Sequence, residues 1–129
     1  MNIDWVIPCR YVEVHDGLGT LVGAGIDTYW LPELPAPIQS VLAVRLLATP
    51  EELESPGEHV SATRIRNPSG DLLDEVRGEI TIGGEVTRPD WLIGLTIPAV
   101  VQFEATEEGA YMIELDVDDA SKSILIHAR

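Results

Sequence analysis

With 129 residues, 45% of them apolar, the chain can bury a core without staples, and its spread of Val, Ile and Leu excludes disorder. The formal charge of −14, from 22 acidic and 8 basic residues, repels phosphate backbones and anionic lipid, which argues against nucleic-acid and membrane partners and would steer cationic ones inward. The single Cys9 excludes an internal disulfide, and the opening Met-Asn-Ile-Asp-Trp offers neither a basic leader nor a long apolar span, so a cytoplasmic protein is expected.

The first strand is expected over residues 4–15, with bulk from Val6, Cys9, Tyr11, Val12 and Val14. Pro8 cannot donate to a ladder, so the strand should be bulged or at an edge there. Asp16-Gly17 favours a tight hairpin, because both central positions of a type I′ turn need positive φ. The return strand runs over 18–30, loosened by Gly19, Gly23 and Gly25 into a bulge or a close backbone approach. Pro32, Pro35 and Pro37 then force an extended connection that cannot continue a sheet and should cross to another layer.

Residues 41–48 are apolar on both faces apart from Arg45, the pattern of a central strand. Thr49-Pro50-Glu51-Glu52 reads as a helix start: Thr49 caps, Pro50 suits the first turn and Glu52 completes a capping box. Pro56-Gly57 stops that helix within a turn or two. A second hairpin follows, over 59–66 and 71–82, folded about Asn67-Pro68-Ser69-Gly70. Gly83-Gly84 and Arg88-Pro89-Asp90 bound the next loop. Residues 91–103 alternate most clearly, with Ile93, Leu95, Ile97, Ala99, Val101 and Phe103 on one face, and Pro98 should break that ladder. Tyr111, Ile113, Leu115 and Val117 alternate with polar neighbours, and 123–128 closes the chain.

Eight short strands with turns between them and one helical turn near 50–55 indicate an all-β fold: a single domain over 1–129, an antiparallel β-sandwich with Greek-key or jelly-roll-like crossings.

The residues that could carry chemistry do not assemble into a motif. His15, His59 and His127 lie far apart with no zinc spacing. Asp116, Asp118 and Asp119, with Asp71, Asp74 and Asp90, could hold calcium at loop ends, but turn aspartates ordinarily bond nearby backbone amides. A Ser61, His59 and Asp74 set has no nucleophile elbow or oxyanion loop, and the glycines at 17, 19, 23 and 25 do not make a phosphate-binding fingerprint. Cys9, in an apolar run, reads as a buried structural thiol. No catalytic, metal or cofactor residue is therefore assigned, and an enzyme is not expected. Tyr29, Trp30 and Trp91, aromatics near strand ends, are the candidate binding residues, since such side chains are enriched in binding patches. Their other role is to close off the ends of the core.

The run from Tyr11 to Asp27 (Tyr-Val-Glu-Val-His-Asp-Gly-Leu-Gly-Thr-Leu-Val-Gly-Ala-Gly-Ile-Asp), followed by Leu34-Pro35-Ala36-Pro37, resembles a family of small uncharacterised β-sandwich proteins of high-GC Gram-positive bacteria. Asn67-Pro68-Ser69-Gly70 and Glu108-Gly109-Ala110-Tyr111 are similar to that family as well, while Pro8, Cys9 and Val14 depart from its pattern at the first strand. One lysine, Lys122, among the eight basic residues fits the same GC-rich origin. The resemblance implies a compact sandwich in a bacterial cytoplasm and no catalytic residues. The expected role is a non-enzymatic binding or assembly module with a protein partner or a second copy of itself. A calcium- or carbohydrate-binding sandwich is the alternative.

Overall fold

A computed structural model describes residues 1–54, 57–83 and 90–129. In chain order the elements are β1 (Asn2–Cys9), β2 (Tyr11–His15), β3 (Leu18–Val22), β4 (Thr28–Tyr29), β5 (Ala36–Ala48), α1 (Pro50–Glu54), β6 (Glu58–Arg66), β7 (Leu72–Thr81), β8 (Ile93–Ala105), β9 (Gly109–Val117) and β10 (Ala120–Ala128). The fold is all-β. A three-stranded sheet, β1-β5-β8, and a five-stranded sheet, β4-β10-β9-β6-β7, share one apolar core, and β2-β3 forms a separate hairpin.

Period-two burial builds that core. On β5, Ile38, Leu42, Val44 and Leu46 point inward, and Val101 and Ala105 of β8 join them. Ile65 of β6, Tyr111, Ile113, Leu115 and Val117 of β9, and Ile126 and Ala128 of β10 answer from the other sheet. Each buried Val, Leu or Ile among them contributes about 1.5–3 kcal/mol by leaving water. β5 pairs with β8 while the intervening β6-β7 hairpin pairs in the opposite sheet, so the chain changes layer between β5 and β6, between β7 and β8, and again between β8 and β9.

The expected eight strands become ten because two of them divide. Residues 4–15 split at Arg10. β1 stays on β5 as far as Cys9↔Val41, and β2 then leaves to pair with β3. The break is fixed by Gly23 and Gly25, both at positive φ: the Arg10 amide donates to the Val22 carbonyl at 2.9 Å, and the Gly25 amide to that of Pro8 at 2.7 Å. A Cβ on Gly23 would lie 2.8 Å from the Arg10 side chain. Residues 18–30 divide for the same reason, and β4 runs parallel to β10, the one departure from antiparallel pairing among the described residues. The β2-β3 hairpin lies against β5 and β8, where Gly19 meets Thr96 and the Thr96 amide donates to the Gly17 carbonyl at 3.0 Å.

Pro37 stands inside β5, opposite Glu104, rather than outside the sheet. Nor does Pro98 break β8, which pairs with β5 from Ile93 to Ala105 without a shift. β8 is an edge strand, and a proline is tolerated where its missing N–H faces away from the ladder. Pro8 likewise sits in an edge strand, β1, whose bulge falls at Ile3/Trp5.

The capping box forms as expected. The Glu52 amide donates to Thr49 Oγ1 at 3.2 Å and the Thr49 amide to Glu52 Oε1 at 3.1 Å. The hairpin at 67–70 is held by Asn67, whose side-chain oxygen accepts the amides of Ser69 and Asp71. Pro56 and the loop from Gly84 to Pro89 lie outside the described residues.

Candidate functional site

Two surfaces stand out, and the sequence pointed to one of them. At the end of the five-stranded sheet, β4 and β10 hold each other through the His127 amide to the Asp27 carbonyl (2.6 Å), the Arg129 amide to that of Tyr29 (2.9 Å) and the Leu31 amide to that of Arg129 (2.5 Å). This pairing places Tyr29 and Trp30 side by side with opposite fates. Tyr29 is half-buried against the core and donates its hydroxyl to the Gln39 carbonyl at 3.2 Å. Trp30 is 74% exposed, with the Arg129 guanidinium 5.6 Å from its ring centre. Trp30 walls an open depression of about 850 Å³ shared with Leu31, Pro32, Glu108, His127 and Arg129, and a smaller one shared with Tyr29 and Arg10. Trp91, 59% exposed at the foot of β8, lines neither.

The second surface is the far edge of the same sheet. Among the described residues β7 pairs with β6 alone, which leaves one flank of a ten-residue strand open. Its inner face carries Asp74, Val76, Gly78 and Ile80, which continue the rows of Ile65, Thr63, Ser61 and His59. The three-stranded sheet is too narrow to cover that face. Ile80 reaches a gap of about 150 Å³ walled by Ser61, Thr63, Ile97, Ala99 and Leu115, and Val76, at a core-facing position, is 60% exposed. Sequence reasoning missed this edge, because strand order cannot be read from a hairpin's pattern alone.

The outer face of these strands is a charge ladder. Arg64 meets Asp116 at 2.5 Å and Glu75 at 3.8 Å, Arg66 meets Glu114 at 2.9 Å, and Arg77 meets Glu75 at 2.8 Å. The hydrogen bond from Arg64, with a further one from Ser121, holds the Asp116 carboxyl below the usual range. The hydrogen bond from His59 does the same for Asp118, which also accepts the Val60 amide at 3.1 Å.

Two of the acids considered for calcium are thus engaged within the fold. Asp74 accepts the Glu75 amide at 2.8 Å, and His59 faces Asp118, so the Ser61–His59–Asp74 set is not assembled. His15 pairs with Glu13 at the exposed β2-β3 hairpin, while His59 and His127 stand on β6 and β10. Among the described residues no three His, Cys, Asp or Glu side chains gather as metal ligands. Cys9 is buried, its thiol donating to the Ile7 carbonyl at 3.4 Å, and burial pushes its pKa up, away from the reactive thiolate. Among the described residues no helix is long and apolar enough to cross a membrane.

No family model matches the chain, and no curated protein matches it either. The resemblance drawn from residues 11–27, 34–37, 67–70 and 108–111 therefore rests on those residues alone.

Proposed function

We propose that this chain is a non-enzymatic binding and assembly module whose partner is a protein, in the simplest case a second copy of itself. The open flank of β7 carries the reading: a long strand with backbone N–H and C=O groups facing outward is a template for strand addition. Val76, exposed at a core-facing position, gives an added strand an apolar side chain to cover. Soluble assemblies are most often symmetric homo-oligomers, which favours self-association as the first version to test. Light scattering over a wide concentration range is that test. A mass that rises toward twice the chain's supports it, and a strict monomer at the highest concentration removes the self-assembling version.

A second reading has one observation behind it. Trp30 presents an exposed indole at the rim of the larger depression, the arrangement by which aromatic side chains stack on sugar rings. Ligands that bind only the folded state raise its melting point. A thermal-shift screen against mono- and oligosaccharides, repeated on Trp30→Ala, is expected to show a rise only in the parent chain. No rise with any sugar rejects this reading.

A further inference from the structure

The geometry points to a specific mode of self-pairing: two copies join β7 to β7 about a two-fold axis centred on Gly78, so that their five-stranded sheets become one continuous sheet. This rests on the assembly reading above and names its interface.

Symmetry narrows the choices. Adjacent antiparallel strands related by a two-fold axis must have that axis perpendicular to the sheet, which keeps the inner face of each copy on the same side. Even-numbered β7 residues then meet even-numbered ones, and the axis passes through a residue. Axes at Asp74, Glu75 or Arg77 set like charges directly opposite each other, an arrangement that destabilises a ladder. An axis at Val76 gives Glu75 the partner's Arg77, but the pairing runs at once into Leu73, which the β6-β7 register skips between Ile65↔Asp74 and Arg66↔Leu72.

The axis at Gly78 meets none of these obstacles. Residues 75–81 of each strand lie beyond the bulge and stay in regular register with β6. On the inner face, Val76 meets the partner's Ile80 twice, which covers the exposed Val76 and the open side of the half-buried Ile80. On the outer face, Arg77 meets the partner's Glu79 twice and extends the ladder that already runs from Glu114 and Asp116 through Arg66 and Arg64 to Glu75. Glu75 falls opposite the partner's Thr81. Gly78, without a side chain, stands where the two backbones cross the axis, a position at which glycine permits close approach.

The test is a charge swap read by sedimentation equilibrium on the full chain, with circular dichroism to confirm that each variant folds. Arg77→Glu and Glu79→Arg change exposed side chains. Each is expected to weaken the dimer by about tenfold or more, because symmetry replaces two attractive pairs by two repulsive ones. The double variant R77E/E79R restores opposite charges across the axis and is expected to recover the parent's dissociation constant to within a few-fold. A dimer indifferent to both single changes overturns β7 pairing while leaving self-assembly standing. Single variants that weaken the dimer without recovery in the double overturn the Gly78 register. A parent chain that stays monomeric overturns the pairing and the self-assembling reading together.

Discussion

The Tyr111 hydroxyl donates to the Glu107 carbonyl at 2.9 Å and accepts the amides of Thr106 and Glu107 at 3.2 Å each. Its ring is fully buried, 4.9 Å from that of Phe103, so one side chain both fills the core and ties down the β8–β9 turn. Tyr111→Phe keeps the ring contact and leaves two donors and an acceptor of this partly buried turn without the hydroxyl. The expected loss is about 1–3 kcal/mol, read as a lower urea midpoint with an unchanged slope. A midpoint equal to the parent's would show that the hydroxyl does not anchor the turn.

Ser40 makes the opposite case. It points into the core between Ile38 and Leu42, opposite Val101, at 1% exposure. Its hydroxyl has no hydrogen-bond partner among the described residues. Burying a hydroxyl without a bond is unfavourable, and alanine fits the same space. Ser40→Ala is expected to stabilise the fold by about 1 kcal/mol. Differential scanning calorimetry would register this as a melting point about 3 °C higher. A lower melting point would mean that the hydroxyl is satisfied in solution.

Much of this architecture was legible because one face of each long strand is covered. β8 and β9 alternate as a half-buried surface must, β5 is apolar on both faces as the middle strand of its sheet, and the β6-β7 hairpin announced itself through Asn67, whose side chain does make the turn's bonds. What escaped was set by contacts distant in sequence. Nothing in residues 4–15 marks Arg10 as the place where a strand leaves one sheet, because the break depends on Gly23 and Gly25 folding back onto it. The pattern around Pro98 suggests a breaker only while it is hidden that β8 is the outer strand of its sheet, with β5 as its one ladder partner among the described residues. The sequence marks Tyr29 and Trp30 as aromatics near a strand end, yet their difference in exposure comes from the parallel pairing of β4 with β10. Trp91 shares neither depression with them. The open flank of β7 is a property of strand order, which local periodicity does not encode.

Asp118 occupies the β9-β10 turn at φ 51°, a left-handed conformation that costs most side chains about 1–2 kcal/mol and that Asn, Asp and Gly adopt most readily. Its carboxylate also reaches across to the Val60 amide and His59. Asp118→Ala loses both benefits and is expected to be the most destabilised of a series. Asp118→Gly should relieve the backbone and lose the contacts. Asp118→Asn keeps an acceptor for Val60 and should cost least. Chemical denaturation of the three variants checks the order, and an alanine variant as stable as the asparagine one would refute it.

Asp116 and Arg64 give the fold a defined acid sensitivity. A carboxyl whose pKa is lower in the folded than in the unfolded chain contributes stability that is fully present above the unfolded value. That contribution is lost as the pH falls through the folded value. Arg64 and Ser121 hold Asp116 low by hydrogen bonding, so its contribution should persist at neutral pH and fade from about pH 4 downward. Asp118 follows the same sign through His59. Both pairs are partly exposed, so water screens them and each contributes little. In urea melts between neutral pH and about pH 3, Asp116→Asn should lie below the parent at the upper end and converge with it at the lower. Curves that stay parallel over the whole range would show that the Arg64 pair does not stabilise the fold through ionisation of Asp116.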